Sequence, residues 1–296
     1  YSHPQVSACF INSIEDTMFG DHGPDDHSIF NLIETEAKLF KYGSGNGTNF
    51  SSVRAYGEPL SGGGTSSGLM SFLKILDMNA NAVKSGGKTR RAAKMVVLNS
   101  NHPDVKDFIY WKVDAERKAR ALAAFGYDSD MDGLYRDLLG QNSNNSIRVT
   151  DNFMQAVIDD KEIGLVEITT EEIRTKVKAR ELFEYMAKAA WVSGDPGLQY
   201  DTTINNWHTC SNTAPINASN PCSEYMFLDD TACNLASLNL MKFRKADGSF
   251  DIKGFKHGIR TTITAQEIAV SFAGYPTPSI ALNSYNFRPL GLGYAN

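Results

Sequence analysis

Asn220-Pro221-Cys222-Ser223-Glu224 sets an amide, a thiol and a carboxylate at alternate positions. In extended backbone, residues i, i+2 and i+4 project to one side, so Asn220, Cys222 and Glu224 could face one ligand as a catalytic cluster. Cys233 opens a strand-like run, Cys233-Asn234-Leu235-Ala236-Ser237-Leu238-Asn239-Leu240, and Cys9 lies in a distant strand-like run. Two such strands could bring these thiols together. Other readings stay open from spacing alone. A free cysteine is most often a small buried hydrophobe. His208, Cys210, Cys222 and Cys233 supply zinc-ligand types, although without a C-x2-C pair. His208 could also serve a thiol nucleophile, but nothing in the sequence fixes its geometry.

The elements that must position these groups alternate between short strands and amphipathic helices, which favours an α/β fold. Strands are expected at Val6–Ile11, Ala93–Leu98, Ser146–Thr150 and Ala232–Leu240. Core-facing helices are expected from the stripes Ile29, Leu32, Ile33, Ala37, Phe40 behind a Ser28 cap, and Leu69, Phe72, Leu73, Leu76, Ala80. A third stripe, Ala179, Leu182, Phe183, Met186, Ala190, should stop near Ser193, because Gly194-Asp195-Pro196 forbids continuation.

Residues 43–87 hold ten of the 24 glycines, so backbone is expected to approach something closely there. Gly43-Ser44-Gly45-Asn46-Gly47-Thr48 lacks the third glycine and the preceding strand of a dinucleotide fingerprint. Gly87-Lys88-Thr89 lacks the earlier glycine of a P-loop. What remains is a set of glycine turns able to present N–H groups to an anion, with Lys84, Lys88, Arg90 and Arg91 adding positive charge. Solvated surface turns are the plainer reading of the same residues.

With 296 residues, 42% apolar and 21% charged, the chain is long and apolar enough for a substantial core. A net charge of −5 predicts no general attraction to nucleic acid or anionic membrane. No apolar run reaches the length of a membrane span, and the first residues lack the pattern of a signal peptide. A cytoplasmic location is expected, with the four cysteines as thiols unless chemistry oxidises them. No repeat or linker marks an internal boundary, and the opening Tyr1-Ser2-His3-Pro4 suggests a piece of something longer.

Taken together, six segments resemble the large subunits of ribonucleotide reductases, most closely the adenosylcobalamin-dependent class. They are Ser7–Phe10, Phe40–Ser51, Gly57–Gly63, Lys84–Ala93, Asn220–Glu224 and Cys233–Leu240, in the family's order. The resemblance implies a partial ten-stranded α/β barrel with a central finger loop. A first half-barrel would span about 1–205, the finger about 206–230, and the start of a second half about 231–296, as one incomplete catalytic domain. Cys222 at the fingertip would become the thiyl radical that takes the ribose 3′-hydrogen. Glu224 would be the base for the 3′-hydroxyl and Asn220 would hydrogen-bond the sugar. Cys9 and Cys233 would supply two electrons and a proton and close into a disulfide, while Cys210 stays structural.

The same resemblance assigns Ala8, Gly43, Ser44, Gly45 and Arg90 to the substrate pocket. Asp16, Arg54, Lys84 and Lys88 would serve a deoxynucleotide effector, with Gly57–Gly68 and Lys84–Ala93 as the loops that link effector to substrate. It further implies adenosylcobalamin as cofactor, a homodimer, and a thioredoxin-like reductant acting through C-terminal cysteines that this sequence lacks; it implies no resident metal site. Half a barrel would leave an unpaired sheet edge, so the isolated chain is expected to be inactive. A non-catalytic nucleotide-binding module and a reductase that needs a metalloprotein partner are the alternatives. A formate-lyase type of thiyl-radical enzyme is disfavoured by Pro221 and Ser223 beside Cys222.

Overall fold

A computed structural model describes residues 4–23, 26–83, 92–128 and 133–296. Along the chain it runs β1 (Cys9–Asn12), α1 (Ile29–Lys41), β2 (Gly45–Asn49), α2 (Leu69–Ala82), β3 (Ala93–Asn99), α3 (Val105–Ala124), α4 (Leu134–Asp137) and β4 (Asn144–Val149). It continues with α5 (Asp151–Ile158), β5 (Glu162–Val166), β6 (Ile173–Lys178), α6 (Ala179–Ser193), β7 (Gly197–Tyr200) and α7 (Asp201–Asn206). After a long connection come β8 (Thr231–Asn239), α8 (Ile252–Phe272), α9 (Pro278–Phe287) and β9 (Leu290–Ala295).

Among the described residues seven strands form one sheet in the order β7-β4-β3-β2-β1-β8-β9, and β5 and β6 form a separate antiparallel ribbon. From β7 to β1 all neighbours are parallel. The direction reverses once, between β1 and β8, after which β9 again runs parallel to its neighbour. The fold is mixed α/β with a curled half-barrel sheet, as the sequence predicts.

Strand alternation gives the sheet two different faces. Val96, Leu98, Ile147 and Val149 point outward and join the main core with residues of α1, α2, α3, α5 and α6. Cys9, Ile11, Met95 and Val97 point inward and pack on Ala218, Tyr225 and Cys233. Local signals behave as expected at several ends. The Ser28 hydroxyl accepts from the Asn31 N–H to start α1, and Gly194 ends α6 with φ 83°.

Three expectations need correction. The first strand begins at Cys9 rather than Val6. The glycine run after α1 is not a turn: Gly45–Asn49 is a central strand. Gly and Asn have poor strand propensity, and what overrides it is space, because a side chain here would collide with the segment lying across the inner face. A Cβ at Gly47 would stand 1.7 Å from the Ser219 carbonyl oxygen, and one at Gly45 would stand 2.9 Å from the Pro221 ring. Finally, Pro221–Glu224 forms a turn instead of extended backbone, with Ser223 at φ 66° and its N–H bonded to the Asn220 carbonyl at 3.1 Å.

Candidate active site

The connection between α7 and β8 crosses the inner face and is pinned there by side chains from three strands, β2, β4 and β7. The Asn49 amide donates to the Asn217 carbonyl (2.9 Å), Gln199 to the Ser219 hydroxyl (2.8 Å), and Asn144 to the Pro221 carbonyl (2.8 Å). Arg148 bonds the Ile216 carbonyl while its Nε holds Asp201 at 2.7 Å. These contacts fix the segment so that its turn, Pro221–Glu224, stands over the start of β1.

There the sulfurs meet. Cys9 and Cys233 are directly opposed in the antiparallel β1–β8 register. The Asn220 amide donates to the Cys9 sulfur at 3.0 Å, and the Cys9 thiol donates to Glu224 Oε1 at 3.6 Å. Cys222 is exposed, as is Glu224, whereas Cys9, Cys233 and Asn220 are buried. Burial pushes the Cys9 thiol up to about 11, with Glu224 and Cys222 adding to the rise and Asn220 opposing it. Burial likewise pushes Cys233 up to about 12, reinforced by Cys9 and Glu224. Both buried sulfurs are therefore protonated thiols at neutral pH, able to give hydrogen or proton to a neighbour but poor free nucleophiles. Cys222 is the sulfur that an external reactant reaches.

The backbone expected to line the substrate pocket lies where β1 and β2 begin. The Gly45 N–H donates to the Ala8 carbonyl at 2.7 Å, and the Ser44 hydroxyl donates to the Ser7 carbonyl at 3.0 Å. Gly43 sits at φ 82°, a conformation that favours glycine. On the far side, a cleft of about 540 Å³ is lined by Glu224, Leu235, Ala236, Ser237, Gly291, Leu292 and Gly293. Gly291 keeps this wall thin, since a Cβ there would collide with the Leu235 side chain.

Asp16 and Arg54 are also brought together, away from the sulfurs. The Asp16 carboxylate accepts from the Arg54 N–H at 3.0 Å and from its Nε at 2.6 Å, and Arg54 also reaches the Pro59 carbonyl. Both line a cleft of about 270 Å³ with Leu60, Ser61, Ser66 and Ser67. Lys84, Lys88 and Arg90 lie outside the described residues. His208 is engaged in its own loop, bonded to the Ala214 carbonyl, and Cys210 is a half-buried free thiol beside it. Among the described residues no cluster of three His, Cys, Asp or Glu side chains could hold a metal ion.

Sequence reasoning missed Tyr225, whose hydroxyl bonds Thr231 at 2.6 Å and whose ring walls the sulfur chamber. It also missed the buried Glu36–Lys94 pair on the outer face, where Lys94 Nζ meets Glu36 at 2.7 Å and Asn46 joins at 3.0 Å. Tyr225, two residues beyond the Cys222-Ser223 pair and alternating with Phe227, carried an aromatic signal that could have been read.

A family model described as the ribonucleotide reductase barrel domain matches residues 7–296. The chain belongs to that family. Vitamin B12-dependent ribonucleotide reductase of Rhodopirellula baltica is 55% identical over 300 residues, covering 100% of this chain and 28% of that relative. The protein of the same name from Streptomyces coelicolor is 51% identical over 299 residues, 99% of this chain and 30% of the relative. Vitamin B12-dependent ribonucleoside-diphosphate reductase of Thermoplasma acidophilum is 31% identical over 290 residues, 98% of this chain and 34% of the relative. The barrel-family chain thus spans about a third or less of the curated relatives it matches. Among the described residues no helix is long and apolar enough to cross a membrane.

Proposed function

We propose that the protein containing this chain reduces ribonucleotides to 2′-deoxyribonucleotides by thiyl-radical chemistry, with adenosylcobalamin as cofactor. The observation that carries the reading is the opposition of Cys9 and Cys233 beneath a turn that exposes Cys222. A thiyl at Cys222 removes the 3′-hydrogen of the substrate ribose, and Glu224 takes the 3′-hydroxyl proton. The 2′-hydroxyl is a poor leaving group, and acid assistance from a neighbouring thiol lets it depart as water. Cys9 and Cys233 supply that proton and two electrons, becoming a disulfide, and Cys222 returns the hydrogen to C3′. Ribonucleotide plus dithiol thus give deoxyribonucleotide, water and disulfide. Burial keeps both thiols protonated at neutral pH, so the pair holds its two hydrogens until substrate is present, and the Asn220 amide is set to bind the sugar as it now binds the Cys9 sulfur.

The residues fit the cofactor in one respect that matters: Cys222 is the exposed sulfur, with an open cleft of about 540 Å³ beside Glu224. When bound, adenosylcobalamin supplies one-electron chemistry at the Cys222 sulfur. Leu235, Ser237 and Gly293 would form the adjoining wall. Residues 1–205 act as a first half-barrel, 206–230 as the finger and 231–296 as the start of the second half, within one domain. The Asp16–Arg54 cleft receives a deoxynucleotide effector in a homodimer, and a thioredoxin-like protein re-reduces the cysteine pair. Ala8, Gly43, Ser44 and Gly45 line the substrate pocket.

The test is turnover by the full-length protein with adenosylcobalamin present and absent. Deoxynucleotide formation that needs the cofactor and disappears in Cys222→Ser is expected. Turnover that survives Cys222→Ser, or that needs a metalloprotein partner instead, overturns the reading. Loss of deoxynucleotide binding in Arg54→Ala checks the effector site.

A further inference from the structure

The opposition of Cys9 and Cys233 rests on a short ladder. β1 and β8 pair only through Cys9, Phe10 and Ile11 against Cys233, Ala232 and Thr231. Even within it, the Ala232 N–H turns outward to the Ser284 hydroxyl of α9 at 3.0 Å. A slip of one residue would place Ala232 or Asn234 opposite Cys9 and carry Cys233 to the other face, because side chains alternate along a strand. Something must fix the register at the open end.

Asp230 stands there. It takes a left-handed conformation, φ 54°, immediately before β8 begins. Its carboxylate accepts from the Ser13 N–H at 3.1 Å and from the Ser13 hydroxyl at 2.6 Å. Ser13 is the first residue after β1, so a side chain takes over where backbone pairing ends. The Ser13 hydroxyl has a single proton and gives it to Asp230; the 2.8 Å contact from His27 Nδ1 to that hydroxyl must then be a donation from His27. His27 is held in turn by its own carbonyl, which accepts from the Glu15 N–H at 2.9 Å. These three side chains tie the residue after Cys9's strand, the residue before Cys233's strand and the entry to α1 into one hydrogen-bonded unit.

We propose that Ser13, Asp230 and His27 are positioning residues that lock the β1–β8 register and thereby keep Cys9 and Cys233 apposed as a redox pair. The inference rests on the redox-pair reading above. The lock raises the effective concentration of one thiol at the other, so its loss should disfavour the disulfide relative to the dithiol.

In the full-length protein, the Cys9–Cys233 couple is titrated in thiol–disulfide buffers and read by differential thiol labelling. Asp230→Ala and Ser13→Ala are expected to weaken disulfide formation about tenfold, a rise in potential of about 30 mV. Asp230→Asn, which keeps an acceptor for the Ser13 N–H, should return most of the difference. Ile280→Val, a core change on the outer face beside Phe10, should lower the melting temperature without moving the potential. A potential in Asp230→Ala and Asp230→Asn equal to that of the unaltered protein overturns the lock while leaving the redox pair standing. Failure of the unaltered protein to form a Cys9–Cys233 disulfide on turnover overturns the redox-pair reading itself, and the proposed positioning role with it.

Discussion

The two faces of the central strands solve opposite problems. On the outer face, rows such as Phe10, Asn46 and Lys94 or Asn12, Thr48 and Val96 meet helices and fill space with side chains. A fully enclosed charge pair there, Glu36 with Lys94, is completed by Asn46 and by the Phe50 ring, 5.5 Å from Lys94 Nζ. Burial drives Glu36 up and Lys94 down, and their mutual attraction opposes both shifts. On the inner face the strands remove side chains instead, at Gly45 and Gly47, so that backbone from a distant segment can lie against backbone. Filling one face builds the core, and emptying the other makes room for the segment that carries Cys222.

The contrast breaks most visibly at Lys94. Replacing it with Ala leaves the Glu36 carboxylate buried without its partner, and chemical denaturation should show a loss of about 3–5 kcal/mol. Replacing both members by apolar side chains of similar size should recover most of it. Next is Gly47→Ala, whose methyl would strike the Ser219 carbonyl. We expect a loss near 3 kcal/mol and, because the sulfurs depend on that segment, roughly a 10²-fold fall in turnover by the full-length protein. Gly62→Ala, with nothing within 4 Å of the added methyl, should stay within about 0.5 kcal/mol of the unaltered protein.

A smaller effect concerns charge at the base of the inner segment. Burial raises Asp229 from 3.8 to about 6, against the hydrogen bond from Asn217 and the attraction of Arg148. A carboxyl whose folded pKa is raised favours the folded state when protonated and costs stability as pH climbs through that window. Asp229→Asn should therefore stabilise by about 1–3 kcal/mol at pH 7, measured by denaturation across pH, and the gain should vanish below about pH 4. The smallest effect is kinetic. At pH 8 an alkylating reagent should modify exposed Cys222 first. Only roughly a thousandth of Cys9 is thiolate at that pH, given its value of about 11, so its labelling should accelerate about tenfold per pH unit. Equal rates at all three sulfurs would contradict the buried-thiol geometry.

Much of this division was legible in the residues. The stripes at Ile29–Phe40, Leu69–Ala80 and Ala179–Ala190 report helices that fill the outer face, since their 3.6-residue period is written in apolar side chains. The Asn220, Cys222 and Glu224 spacing flagged the site, although the turn at Ser223 replaces the extended backbone that motivated it. Gly45–Asn49 resisted because its role is to be absent, and no local propensity predicts a strand from glycine and asparagine. Lys94 resisted for a related reason: one charged residue in an apolar strand reads as an error until its partner, 58 positions away, is known. The register lock was invisible because Ser13, His27 and Asp230 converge only after folding.

The central claim is that the sulfurs at 9 and 233 act together on one sugar beneath the sulfur at 222. It is met most directly by a single-turnover experiment on the full-length protein with no external reductant, followed by peptide mapping of cysteine oxidation. The account predicts one deoxynucleotide for each Cys9–Cys233 disulfide formed, with Cys222 still a thiol. Product formed while Cys9 and Cys233 both remain reduced would contradict it.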